Sequence, residues 1–335
     1  MTPKNDRRSL PFLGALTLAL VALAPGSRAG AADAWKPTKP VQLVVPYAPG
    51  GGSDVLGRSI AAVIQEGNLN PTPLVVVNQA GGSGTVGTTA VAQQPGNDHV
   101  LLTFISGQVA APLVAGKGTA TYKDLTLIGG LAIDEQLVIV EAGSPFKSID
   151  DVVKAAKARP GELTIGGTAT GQEDQMCNRL FERAAGVKLR YVPFNSGGEV
   201  LTALVGKHVD LAWANPGEFF SQWEAKLVRP LAVARKDRLA KFSDVPTFKE
   251  KGFDVTFRMF RGMAAPPQIP AAAAAHYENV MKRLAESPAW KEKYLDKYLL
   301  TPSWMGSKDF AKFVAQSEQE FRKLLVELEL LKDAK

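Results

Sequence analysis

The sequence predicts an α/β fold made of two similar lobes, and three observations predict it. Apolar runs of strand type recur along the chain. Each ends in a loop rich in glycine and small polar residues, and each loop opens an amphipathic helix. The unit occurs in two blocks, about residues 41–110 and 163–220. The chain has 335 residues, 45% hydrophobic and 21% charged, which is a globular composition long enough for two domains.

The first strand, Val41–Val45, stops at Pro46 and runs into Tyr47-Ala48-Pro49-Gly50-Gly51-Gly52-Ser53-Asp54. Ser53 or Asp54 is placed to cap the helix that follows, to about Gln65. Strand, glycine loop and helix start suit an anion, because glycine lets backbone N–H groups approach a ligand and a helix start leaves its first N–H groups unpaired. The same glycines also serve an ordinary tight turn. A second strand, Leu74–Asn78, leads into the loop Gln79–Gly87 and a helix through Ala90. A third, His99–Ile105, ends at Ser106-Gly107-Gln108. This βαβαβ order predicts a parallel sheet, with ligands beyond the carboxyl ends of its strands.

Leu125–Leu131 and Gln136–Val140 read as further strands, and Ser148 caps a helix through Val152 and Ala156. The alternation restarts at Leu163–Gly166, followed by the loop 166–175 and a helix carrying Met176, Leu180 and Phe181. Leu189–Pro193 ends in Phe194-Asn195-Ser196-Gly197-Gly198, and Val209–Trp213 ends in Ala214-Asn215-Pro216-Gly217. Leu231–Ala234 is another strand. Phe253–Phe257 and Met263–Ala265 are expected to return the chain to the first lobe. In the C-terminal helical part, Phe310, Phe313, Val314, Phe321, Leu324, Leu325 and Leu328 share one face, a core stripe. Two lobes with their loop-bearing ends facing each other form a cleft, a preferred place for small ligands.

Residues 1–32 read as an export signal, with basic Lys4, Arg7 and Arg8, an apolar Leu10–Ala24, and small residues for cleavage. Arg7-Arg8 leaves general and twin-arginine export open. Half of the formal net charge of +6 lies in this segment, where Lys4, Arg7, Arg8 and Arg28 face Asp6. The remainder is too small for a nucleic-acid footprint. Cys177 is the only cysteine, so there is no lipid-attachment cysteine at the cleavage site, no internal disulfide and no cysteine metal cluster.

Gly82-Ser83-Gly84-Thr85-Val86-Gly87 matches G-x-G-x-x-G, but the next strand ends without the acidic residue a dinucleotide site uses, so no cofactor is expected. The serines in glycine loops lack a histidine base, since His99, His208 and His276 fall in turns or an alanine-rich helix, and no two have metal-ligand spacing. Neutral donors remain: Tyr47, Ser53, Thr85, Ser106, Gln108, Thr168, Thr170, Gln172, Gln175, Asn195, Ser196 and Asn215. With backbone N–H groups at helix starts, this inventory suits carboxylate oxygens rather than catalysis.

Nearly the whole mature chain resembles the periplasmic solute receptors of tripartite tricarboxylate transporters, the Bordetella uptake gene proteins. The resemblance is carried by residues 39–54, 77–84, 145–148, 191–194, 206–210, 229–233 and 244–247. It implies a type II periplasmic-binding-protein fold: a signal peptide at 1–32, lobe 1 at 33–140 plus 258–335, and lobe 2 at 141–257, with the C-terminal helical segment returning to lobe 1. It implies a periplasmic monomer that is not an enzyme. Such a receptor closes on a small organic acid and delivers it to a two-component membrane permease. By match, Ala48, Pro49, Gly50 and Gly51 hold a ligand carboxylate largely through ordered waters, beside Ser83 and Gly84. The loops Thr168–Gln172, which includes Thr170 and Gly171, and Phe194–Gly198, which includes Gly197, grip from lobe 2. Ser106 and Gly107 close the lobe 1 side.

The chain departs from the family in three places. Gln175 stands where many members have histidine, Ala214 lies near a common aspartate, and Arg261 replaces an aromatic residue before Gly262. Two readings of Arg261 stay open: it reaches the cleft, pairs with a ligand carboxylate and favours a di- or tricarboxylate, or it is a solvent-facing or structural arginine. Two other readings stay open: a periplasmic α/β enzyme acting on a small acid, and a receptor feeding a sensor kinase.

Overall fold

The computed structural model describes residues 35–116 and 118–331. The proposed signal segment 1–32 lies outside the described residues. In chain order the elements are β1 (Val41–Val45), α1 (Gly52–Glu66), β2 (Leu74–Asn78), α2 (Thr85–Ala92), β3 (Val100–Ile105), α3 (Gly107–Ala115), β4 (Thr126–Asp134) and β5 (Leu137–Glu141). They continue with α4 (Ile149–Ala158), β6 (Thr164–Thr168), α5 (Glu173–Ala185), β7 (Arg190–Phe194), α6 (Gly197–Val205), β8 (Leu211–Ala214), α7 (Pro216–Glu224) and β9 (Val228–Val233). The chain closes with β10 (Met259–Ala265), α8 (Ala271–Ala285), α9 (Pro288–Trp290), a π-helical turn (Lys291–Asp296), β11 (Thr301–Gly306) and α10 (Ser307–Glu327).

Two sheets carry the two lobes. The first has the order β11-β4-β10-β3-β1-β2 and the second β7-β6-β8-β5-β9. β1 pairs in parallel with β2 and β3, as β6 does with β7 and β8, so each lobe contains the expected parallel triplet. β10 runs antiparallel between β3 and β4. The helices follow from local chemistry. α4 begins with a capping box, Ser148 accepting from Asp151 N and Asp151 from Ser148 N, and has two acids in its first turn.

The structure corrects two boundaries. β5 pairs with β8 and β9, not with the first sheet, so the chain changes sheet at Glu135-Gln136 rather than at 140. Its run Leu137–Val140 is fully buried between layers of lobe 2, which is what fixes its sheet. Phe253–Phe257 does not carry the chain into lobe 1; the return strand starts at Met259. The segment instead turns back on lobe 2, where Phe253 N bonds Phe248 O and Phe257 N bonds Ala234 O. β11 escaped the sequence reading because Pro302 interrupts an edge strand whose register shifts beside it.

Two crossovers join the lobes, at Glu135-Gln136 and at residues 234–258. They are tied together by Ala234 N to Gln136 O (2.8 Å), and Asn215 Nδ2 bonds the Glu135 carbonyl (2.9 Å). α10 packs on β4 and α3 of lobe 1 and on α5 of lobe 2. Its stripe Phe310, Val314, Phe321, Leu324 and Leu325 is buried in a core shared with Phe181 and Phe248. That burial makes the helix a structural strap, and among the described residues no helix is long and apolar enough to cross a membrane.

Candidate functional site

The glycine loops of both lobes meet between the crossovers. On the lobe 1 side, residues 48–52 are exposed and Gly50 adopts a left-handed φ of +85° that other residues resist. Asp54 pins this loop. Its carboxylate accepts from Gly50 N (2.9 Å), Arg58 Nε (2.9 Å) and Asn78 Nδ2 (2.8 Å), and Asn78 also bonds the Tyr47 carbonyl (3.1 Å). Burial opposes ionisation of Asp54, but hydrogen bonds from Arg58, Gly50 and Asn78 outweigh it and hold the carboxyl below its ordinary range.

The expected cap is corrected here. α1 starts from Gly51 with no side-chain cap. Ser53 turns inward and bonds Thr103 Oγ1 (2.8 Å), which removes its hydroxyl from the cleft. α2 and α3 likewise begin at Gly84 and Ser106 without side-chain caps. The starts of α1, α2 and α3 therefore carry no side-chain cap, and that of α3 is buried against Gln172 and Glu173 of lobe 2.

Tyr47, Gly84, Ser106, Gly107 and Gln172 come together. Tyr47 donates to Ser83 O (3.2 Å). Its ring lies against Gly84 and its hydroxyl against Gly107, where Gln172 and Glu173 also arrive, so a side chain at Gly107 would meet all three. Ser106 Oγ donates to Glu173 Oε1 (2.8 Å), a direct bond between the lobes.

Other candidate residues are engaged locally. Thr85 donates to Gly82 O (2.8 Å), and Gln108 bonds Thr88 and Ile105 within lobe 1. Thr168 is held by Asp174 through its N (2.7 Å) and Oγ1 (2.9 Å). Gly171, at φ +75°, packs near Val114, Leu325 and Leu330, with its N–H on Gln175 Oε1 (2.7 Å), and Thr170 is exposed. Asn195 bonds Glu199, Ser196 accepts from Glu199 N (3.3 Å), Gly197 abuts Glu218, and Asn215 is buried at the crossover.

Arg261 takes the structural one of its two readings. It is buried beneath the head of α1, with its guanidinium against Gly52, and is ion-paired to Asp134. Asp134 holds it protonated against the burial that opposes its charge. A free guanidinium forming a two-toothed contact with a ligand carboxylate is therefore not what the cleft presents.

The sequence reading also missed a group of acids: Asp134, Glu173, Asp174 and Glu218. Burial pushes Glu173 upward, opposed by hydrogen bonds from its own backbone and from Ser106. Burial likewise lifts Asp174 to about 6 despite the bonds from Thr168, with Glu173 adding to the rise. Glu218 is raised to about 7 by burial and then by Asp174. It keeps open surface, where solvent screens its charge, so no stability effect is drawn from it. Glu173 and Asp174 lie in the loop 166–175, whose neutral donors the sequence pattern brings forward and whose acids it leaves as ordinary helix-start residues.

Two cavities lie elsewhere. One of about 360 Å³ is bounded by α5, the second crossover and α10. One of about 650 Å³ is lined by Arg235, Phe242 and Leu299. Neither borders the glycine loops.

Two α/β lobes joined by two crossovers, with a glycine-loop cleft between them, define a solute-binding protein of the two-lobe type. Residues 60–330 match the family model of the tripartite tricarboxylate transporter family receptor, and the chain belongs to that family. It is 28% identical over 309 residues to protein BugT of Bordetella pertussis, covering 89% of this chain and 92% of that one. Two solved structures are similar. One is Rpa4515 of R. palustris with adipate (TM-score 0.78, 26% identity, 87% and 97% covered). The other is the periplasmic binding protein BugD (TM-score 0.76, 24% identity, 89% and 100% covered).

Proposed function

We propose that this chain is an exported receptor that captures a small organic acid, a di- or tricarboxylate, between its lobes and delivers it to a two-component membrane permease. One observation carries the reading: three helix starts without side-chain caps, α1, α2 and α3, converge beside a loop that Asp54 holds in place. They offer backbone N–H groups to one carboxylate, directly or through water. The relative solved with adipate supports an acid of this size.

The lobes move about the two crossovers, and the Ser106–Glu173 bond belongs to the closed form. Closure presents a joint surface of both lobes to the permease in the periplasm. No step of chemistry is assigned to the cleft, so the ligand leaves as it entered. Calorimetry over mono-, di- and tricarboxylates, with mass spectrometry of the recovered ligand, tests this. A saturable acid recovered unchanged is expected. Turnover of the acid, or silence across the whole series, would overturn it.

A further inference from the structure

A turn of lobe 1 reaches into lobe 2 beside the crossovers. After the π-helical turn, Leu299 N bonds Asp296 O (3.4 Å) and Leu300 N bonds Leu295 O (2.8 Å), the bond pattern that ends a helix on a left-handed residue. Leu299 is that residue, at φ +56°. Glycine is the usual occupant, because a Cβ strains the left-handed backbone. Among the described residues of positive φ that are not glycine, Leu299 is the only branched apolar one. Its contacts account for the leucine. Tyr298 and Leu300 pack in the core of lobe 1, whereas Leu299 packs on the core of lobe 2 that holds Phe219, Leu239 and Phe242. The backbone comes as close: a Cβ at Gly217, in the first turn of α7, would lie 2.8 Å from the Tyr298 carbonyl oxygen. Two residues on, Thr301 Oγ1 donates to Glu135 Oε1 (2.9 Å) and accepts from Arg235 Nη1 (3.2 Å), which joins the turn to both crossovers. The cavity of about 650 Å³ runs along the same turn, so Leu299 is a knob beside open space and not part of a continuous interface.

We propose that Leu299 is a positioning residue for ligand capture: a wedge carried by lobe 1 that seats in lobe 2 when the lobes close, and that sets how far the closed form is favoured. The inference rests on the receptor reading above and names a residue outside the glycine loops. A branched side chain stays in the left-handed region only where its surroundings over-determine it, and such strain gathers at clamps and switches. Here the surroundings that hold the side chain belong to the other lobe. When the lobes part, the wedge loses its seat while both crossovers remain covalently intact. A ligand that binds the closed form depends on that seat, because its apparent affinity falls with the fraction of receptor able to close. Leu299 thus raises affinity without touching the acid.

Calorimetry of the full mature chain with malate, adipate and citrate, thermal melts, and small-angle scattering without ligand test the proposal on four variants. Leu299→Ala and Leu299→Gly both remove the wedge, but only glycine also removes the strain. Both are expected to weaken whichever acid binds the parent chain by about five- to a hundredfold. Leu299→Gly is nevertheless expected to melt at the higher temperature of the two, so affinity follows the wedge and stability follows the strain. Leu299→Met refills the seat and is expected to bring affinity back to within about threefold of the parent. Gly217→Ala pushes the seat away from Tyr298 and is expected to weaken binding with Leu299 intact. Two results overturn the proposal: affinity that tracks melting temperature across the Leu299 variants, or affinity unchanged in both Leu299→Ala and Gly217→Ala. If no acid binds the parent chain, the receptor reading falls by itself and scattering decides the wedge. A larger radius of gyration in the two alanine variants then supports it, and an unchanged one overturns it.

Discussion

The helices that begin at the cleft differ by lobe. α1, α2 and α3 start at Gly51, Gly84 and Ser106 with no side chain on their first N–H groups. α5, α6 and α7 each carry acids in the first turn: Glu173 and Asp174, Glu199, and Glu218. Asp54 is the exception in lobe 1, and Arg58 balances it. The same strand-loop-helix unit thus gives two surfaces. Where the helix start is empty, the macrodipole is available to a ligand anion; where it holds its own carboxylate, that dipole is already satisfied and the surface becomes an acceptor. A glycine loop at a helix start is consequently not by itself an anion site. The residues of the first turn decide.

The largest effect tests whether Arg261 belongs to the floor rather than to the ligand. Removing one member of a buried ion pair leaves the other uncompensated, at about 3–5 kcal/mol. Arg261→Met and Asp134→Asn are each expected to lower stability in urea unfolding by about that much, and the double variant to recover a large part. Independent, additive losses would mean that Asp134 and Arg261 do not act as a pair.

The next effect contrasts the lobes through pH. Asp174 rises from 3.8 to about 6 in the folded chain, so the folded state holds a proton that the unfolded state has released. Its contribution is greatest near and below pH 4 and is lost as pH rises through about 6. The displacement corresponds to at most about 3 kcal/mol. Asp174→Asn is expected to reduce this alkaline-side fall in Tm, and equal pH profiles for the two proteins would remove Asp174 from the account. Asp54 has the opposite sign. Its lowered folded value gives stability that is present above its unfolded value of 3.8 and lost as pH falls further. Asp54→Asn should flatten the acid limb, cost about 1–2 kcal/mol at neutral pH, and weaken ligand binding by freeing the loop. An unchanged acid limb would show that the carboxylate does not pin Gly50.

These two acids also show what the sequence makes legible. The doubled strand-loop-helix unit, the cleft and the C-terminal stripe follow from periodicity and glycine position, which are local. The sheet to which β5 belongs does not, because a short buried strand reads alike in either lobe. The partner of Arg261 lies 127 residues away, on a strand whose acids precede a crossover, and nothing local announces the contact. The acids Glu173 and Asp174 are visible in the loop 166–175, and the structure makes them the first turn of α5. Their second role depends on Ser106 arriving from the other lobe.

The smallest effect separates capping from recognition. Ser196 and Asn195 lie in a loop that family resemblance assigns to the ligand, yet Ser196 Oγ accepts from Glu199 N (3.3 Å) and Asn195 N and Nδ2 both donate to Glu199 (3.1 Å). The hydroxyl is therefore spent on the first turn of α6. Losing such a cap costs about 1 kcal/mol. Ser196→Ala is expected to lower stability by that amount and leave acid affinity within twofold, since the backbone N–H groups of the loop remain. A tenfold loss of affinity with unchanged stability would give the opposite assignment: Ser196 would leave its cap to touch the ligand.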